Sequence, residues 1–219
     1  MADLPADPTL DEIRAALAPI LPDHAAFDGW RKDAVESAAL QIGIDTDIAQ
    51  LAFDSAMTMI DAWFASIDAR MAEAYTAQAL ADMKIRSRIT ALIEARLALL
   101  APHREALRRA LAILAMPTNI AMASRLGWRA ADAMWRLAGD TAVDYNHYTK
   151  RATLAGIYAA TLLVFLDDET ETLTETRAFL SRRIDGLMRF EKAKAGFKAR
   201  SEHRISLSRF VGRLRYPAI

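Results

Sequence analysis

Residues 145–166 read Tyr145-Asn146-His147-Tyr148-Thr149-Lys150-Arg151-Ala152-Thr153-Leu154-Ala155-Gly156-Ile157-Tyr158-Ala159-Ala160-Thr161-Leu162-Leu163-Val164-Phe165-Leu166. The last thirteen, Leu154–Leu166, contain no charge and no strongly polar group. The run has no proline, exceeds the usual length of a strand and shows no two-residue alternation, so it reads as a helix. A helix that is apolar nearly all round sits at the centre of a bundle or lines an apolar cavity. Thirteen residues fall short of the roughly 20 that span a bilayer. The expected protein is therefore soluble or peripheral.

The same signature spreads outward in both directions. Before the run, Thr118 or Asn119 opens a helix that Gly139 closes after Leu137, and Pro102 sits in the first turn of one that Pro117 ends. Further back, Ile85, Ile89, Leu92, Ile93, Arg96 and Leu100 keep helical register, as do Met59, Trp63, Ile67, Met71 and Ala74 after a Ser55 cap. Leu10, Ile13, Leu17 and Ile20 form a stripe ending near Pro22. After the run, the polar turn 167–172 precedes a helix from Leu173 to Phe190 and a basic terminal segment. Across 219 residues there are 8 Gly and 7 Pro, few for a sheet-rich chain, and 53% of residues are hydrophobic. The expected fold is an all-α bundle of about nine or ten helices. It divides into an N-terminal part at 1–75, a larger helical part at 76–190 and a basic segment at 191–219.

Net charge is zero, but it is unevenly spread. Residues 1–82 carry 15 Asp/Glu and 4 Lys/Arg, whereas 83–219 carry 13 and 24. Residues 31–53 have the shape of a helix-turn-helix, with Gly43 as the turn. Yet its second helix carries Asp45 and Asp47 and no cation, where a DNA reader needs phosphate-neutralising Lys or Arg. The reading is a packing motif, and no nucleic acid is expected as partner.

Catalytic signatures are sparse. Cysteine is absent, which removes thiol nucleophiles, zinc fingers and iron–sulfur clusters. There is no dinucleotide fingerprint, phosphate loop, nucleophile elbow or metal-binding His pair. Asp144 and His147 share a face at i, i+3 and could act as metal ligands or as an acid–base pair; a hydrogen-bonded surface pair is the plainer reading. No cofactor, metal or enzymatic activity is expected.

Two features point to lipid. Beside the apolar run, Met122, Leu126, Trp128, Met134 and Trp135 supply large, adaptable side chains. Within it, Tyr158, Leu162 and Phe165 would wall a cavity, and Ala155, Gly156, Ala159 and Ala160 would leave room for a long thin molecule. Periodicity alone is also that of an ordinary core. The second feature is the terminal segment. Leu207, Phe210, Val211 and Leu214 fall on one helical face, with Arg209 and Arg213 opposite. Such a segment lies in an anionic membrane surface or packs, as a basic helix, on the acidic N-terminal half.

Several ordered motifs carry a resemblance. They are Arg96–Pro102, Ala110–Ile120, Met134–Thr141, Asp144–Tyr158 and Thr176–Ile184. Together with the Gly29-Trp30 and Gly43 positions, the chain over roughly 27–190 resembles the ubiquinone (coenzyme Q) biosynthesis lipid-binding accessory protein family. The resemblance implies the fold of TetR-type regulators with a helix-turn-helix that does not read DNA. It implies a homodimer that binds isoprenoid lipid or ubiquinone precursors in the helical part and meets the membrane through a C-terminal amphipathic helix. It further implies delivery to a ring hydroxylase, contacted through a patch that Asp144, Asn146, Tyr148 and Arg151 match here. His147 stands where familiar members have Trp. The acidic N-terminus suits a bacterial protein on the inner face of the plasma membrane. The other class compatible with the fold is a TetR-type ligand-responsive regulator.

Overall fold

The computed structural model describes the backbone of residue 5 and of residues 7–141 and 145–202. It describes side chains over the same ranges, apart from 145 and 194–202. The described residues form eleven α-helices and no strand, as the all-α expectation requires. The first, α1 (Leu10–Leu17), starts in a capping box: Thr9 accepts from the Glu12 backbone while Glu12 accepts from that of Thr9. The stripe expected to continue to Ile20 does not. A new helix, α2 (Leu21–Asp28), begins there, with Pro22 in its first turn rather than beyond the end of α1.

The helix-turn-helix is present as α3 (Lys32–Ile42) and α4 (Thr46–Ala52). Gly43 takes φ +74° between them, a left-handed conformation that costs a side-chain-bearing residue about 1 kcal/mol. Asp45 caps α4 by accepting from the Asp47 and Ile48 amides. On α4, Ile48 and Leu51 are exposed and no residue is cationic.

The long helices follow: α5 (Ala56–Glu73), the short α6 (Ala77–Ala81), α7 (Ile85–Leu100), α8 (Arg104–Leu114), α9 (Ile120–Leu137), α10 (Tyr145–Asp167) and α11 (Thr174–Glu202). Short 3-10 turns at Ala101–His103 and Pro117–Asn119 mark the two prolines. One buried cluster runs from Ile13 to Leu187 through both the 1–75 and the 76–190 parts. Fully burying each of its large side chains is worth about 1.5–3 kcal/mol. The helix expected to stop at Phe190 instead runs to Glu202, since neither Pro nor an αL residue interrupts it.

α10 packs against both α9 and α11. By length and composition Asn146–Asp167 could cross a membrane, but only 39% of its most apolar 18 residues are buried here. One face packs into the bundle, and the opposite face, with Ala152, Gly156 and Leu163, is exposed, so the helix is not buried all round as a bundle's central helix would be. Its end is fixed by Asp168, 1% exposed, which accepts from the backbone and hydroxyls of Thr170 and Thr176. Those hydrogen bonds hold the Asp168 carboxyl far below its ordinary range and start α11.

Candidate functional site

Where α9 and α10 face α5, α7 and α8, the packing leaves a cavity of about 200 Å³. Its walls are Phe64 from α5, Leu111 and Leu114 from α8, Leu126, Gly127 and Ala130 from α9, and Ala155, Tyr158, Ala159 and Leu162 from α10. Arg96 from α7 is the one charged residue in the wall among the described residues. Three residues of the sequence-based lipid set, Leu126, Tyr158 and Leu162, thus come together around one space.

The others do not. Met134 and Phe165 are buried in the core but form no part of the cavity wall. Trp135 is 2% exposed and donates to the Lys150 carbonyl at 3.1 Å, pinning α9 to the start of α10. Met122 is half-buried, with its sulfur beside Arg125. Gly156 is corrected outright: it faces outward, and a Cβ placed there would meet nothing within 4 Å. Its angular position on α10 turns it away from Tyr158 and Leu162. The glycine that faces the cavity is Gly127, whose Cβ would come within 3.7 Å of Ala155.

Trp128 also lies elsewhere. Its ring centroid is 6.2 Å from that of His147 and 6.0 Å from that of Tyr148, and His147 and Tyr148 are 5.1 Å apart. Tyr148 is exposed, while Asn146 and His147 are half-buried. The proposed partner patch therefore centres on three aromatic rings, one of them from α9. Arg151 is not part of its surface, since it is only 2% exposed. It bonds Asp132 at 2.5 Å, Asp140 at 3.1 Å and the His147 carbonyl at 3.2 Å. Lys150 also pairs with Asp140, at 2.7 Å. Burial pushes the Asp132 and Asp140 carboxyls up; the cations Arg151, Arg136 and Lys150 outweigh it, and both are held below their ordinary range. Arg151 thus supports the patch from beneath. Asp144 and the tail residues Leu207, Arg209, Phe210, Val211, Arg213 and Leu214 lie outside the described residues.

Sequence reasoning missed Arg96, Phe64, Leu111, Leu114 and Gly127. Arg96 carried a signal, because it occupies an apolar position in the α7 stripe. Such an arginine must find a buried partner. Asp68 of α5 is that partner, and it also accepts from Arg129 at 2.9 Å. Burial opposes the Arg96 charge, but the Tyr158 and Asp68 oxygens outweigh it and raise its pKa. Phe64 and the α8 leucines carried no such signal, because only the packing of five helices places them together.

The COQ9 family model matches residues 120–191, the segment holding α9, α10 and most of α11. The chain is 32% identical over 183 residues to the mitochondrial ubiquinone biosynthesis protein COQ9 of Rattus norvegicus, covering 80% of this chain and 57% of that protein. The human protein is 30% identical, with 80% and 56% covered. Over 96 residues, 44% of this chain and 33% of the relative, identity with COQ9-B of Xenopus laevis reaches 40%. The chain spans just over half the length of the rat and human relatives. Among solved structures, the TetR transcriptional regulator from Nitrosomonas europaea superposes with a TM-score of 0.63 at 26% identity, covering 79% of this chain and 96% of that one. The TetR-like fold and the resemblance carried by residues 96–184 are thus both borne out.

Proposed function

We propose that this chain, related to the COQ9 family, serves ubiquinone biosynthesis as a non-catalytic carrier that binds a prenylated precursor and presents it to a ring hydroxylase. The carrying observation is the apolar cavity where α9 and α10, both within the segment that the family model matches, face α5, α7 and α8. Each buried CH₂ contributes about 0.8 kcal/mol, so the part of a prenylated ring that enters such a cavity gains useful affinity there. The aromatic surface of Trp128, His147 and Tyr148 is the face offered to the hydroxylase, with Trp128 providing the indole that position 147 lacks. Aromatic side chains of this kind dominate the energetics of protein interfaces. The outward stripe of α10, with Ala152, Gly156 and the 60%-exposed Leu163, suits a second copy of the chain. The basic segment 191–219 is proposed to meet anionic lipid at the inner face of a bacterial plasma membrane.

The test is mass spectrometry of lipid retained by the purified chain. An isoprenoid quinone or its precursor is expected. Recovery of phospholipid alone from a quinone-producing host overturns the reading. A DNA-binding regulator, the role named for the Nitrosomonas europaea protein, finds no support on α4, whose exposed face carries Asp47, Ile48 and Leu51. A sequence-specific footprint at physiological salt would favour that role over the carrier.

A further inference from the structure

Resting on the carrier reading, we infer that the cavity is a head-group site. It receives a neutral oxygen on an aromatic ring, seated ring-first, with Arg96 and Tyr158 as its hydrogen-bonding residues. Two orphaned atoms carry this. Arg96 is 1% and Tyr158 5% exposed; the Tyr158 oxygen lies close enough to favour the Arg96 charge, yet among the described residues neither Arg96 Nε nor Tyr158 Oη has a hydrogen bond of normal geometry. Buried polar atoms of this kind are few in native proteins. These two belong to neighbouring residues, since the guanidinium sits over the Tyr158 ring at 4.9 Å, and both residues line the same space. Among the described residues, the rest of the wall is leucine, alanine, glycine and phenylalanine, which offers no side-chain partner.

The end of an isoprene chain could satisfy neither atom, so tail-first insertion leaves both unmet. A ring oxygen accepts from the Arg96 Nε–H and from the Tyr158 hydroxyl at once. The oxygen is neutral because the Arg96 charge is already matched. Asp68 pairs with Arg96, and Arg129 bridges Asp68 to Asp61, which the exposed Arg125 also approaches at 3.9 Å. A carboxylate ligand would add an uncompensated buried charge. Size agrees. The cavity holds about 200 Å³, and an apolar cavity of about 150 Å³ accepts benzene, so one substituted ring fills it and a polyprenyl tail does not. The chain would leave between Ala123, Gly127 and Ala159, three of the small residues in the wall.

The test titrates the full chain calorimetrically with ubiquinone bearing one isoprene unit and with prenylbenzene, which lacks ring oxygens. The quinone should bind at least tenfold more tightly. Tyr158→Phe should lower quinone affinity about fivefold and narrow that gap, the effect of one lost hydrogen bond. The same variant should leave the melting temperature unchanged or raised, because it removes an unpaired buried hydroxyl. A merely structural tyrosine would lose stability and leave the ligand ratio alone. Equal affinity for quinone and hydrocarbon overturns the inference and spares the carrier reading. Failure of both ligands to bind overturns both. Displacement of the quinone by decanoate at matching affinity overturns the neutral-oxygen assignment.

Discussion

Arg151 Nη1 donates to Asp140 Oδ2 across 3.1 Å, joining the first turns of α10 to the residue pair that closes α9. The same guanidinium reaches Asp132 on α9 itself. An arginine so buried acts as a clasp between the two helices that form most of the cavity. Arg151→Met should therefore destabilise the chain by about 3 kcal/mol, the cost of breaking a buried ion pair. Lys150 and Arg136 remain to partner the two carboxylates and keep the loss from growing further. Urea unfolding followed by circular dichroism measures it, and a loss under 1 kcal/mol would contradict the clasp.

The carboxylates of that clasp set an acid limit. Asp132 and Asp140 have folded pKa values below their ordinary 3.8. A depressed carboxyl contributes stability that is fully present above its unfolded value and is lost as pH falls through the folded one. Stability should hold from neutrality to about pH 5 and fall steeply below pH 4. Asp140→Asn should flatten that fall while lowering stability at pH 7. A fall equally steep in wild type and variant would assign the acid sensitivity elsewhere.

Gly156 and Gly127 are one residue type in opposite situations. Gly156 is exposed within a helix, so Gly156→Ala should stabilise by up to about 1 kcal/mol and leave retained lipid unchanged. Gly127 lines the cavity where α9 packs on Ala155, with room there for little more than a Cβ, so Gly127→Leu should push into the cavity and exclude lipid from a protein that still folds. Lipid content per mole of each variant, by mass spectrometry, separates them. Lipid loss from the Gly156 variant alone would put the cavity elsewhere.

Trp128 is half-buried beside Tyr148 and has no role in the cavity wall. Trp128→Ala should cost little stability and leave lipid content intact. Its effect should appear in binding to the ring hydroxylase, where loss of an aromatic anchor costs about 2 kcal/mol or more. Surface-captured hydroxylase titrated with both proteins gives the comparison. Unchanged affinity would remove Trp128 from the interface.

Local chemistry made most elements legible in advance. The Ser55 cap, the Gly43 turn and the apolar registers of α5 and α7 are short-range patterns, and the helices stand where those patterns lie. Pro22 misled because a proline past one helix and a proline in the first turn of the next look alike in sequence. The motifs of residues 96–184 carried kinship, and the missing cations of α4 carried the argument against DNA. What sequence could not decide was angle and depth. Helical periodicity says that Gly156 and Tyr158 lie 200° apart on α10; only the neighbours α9 and α11 decide which of them faces inward. Likewise Arg96 had to be paired, but its partner Asp68 lies 28 residues away on another helix. Trp128 moved from lipid wall to surface, and Arg151 from surface to core, for the same reason. Burial is a property of how five helices pack together, and no single helix's sequence contains it.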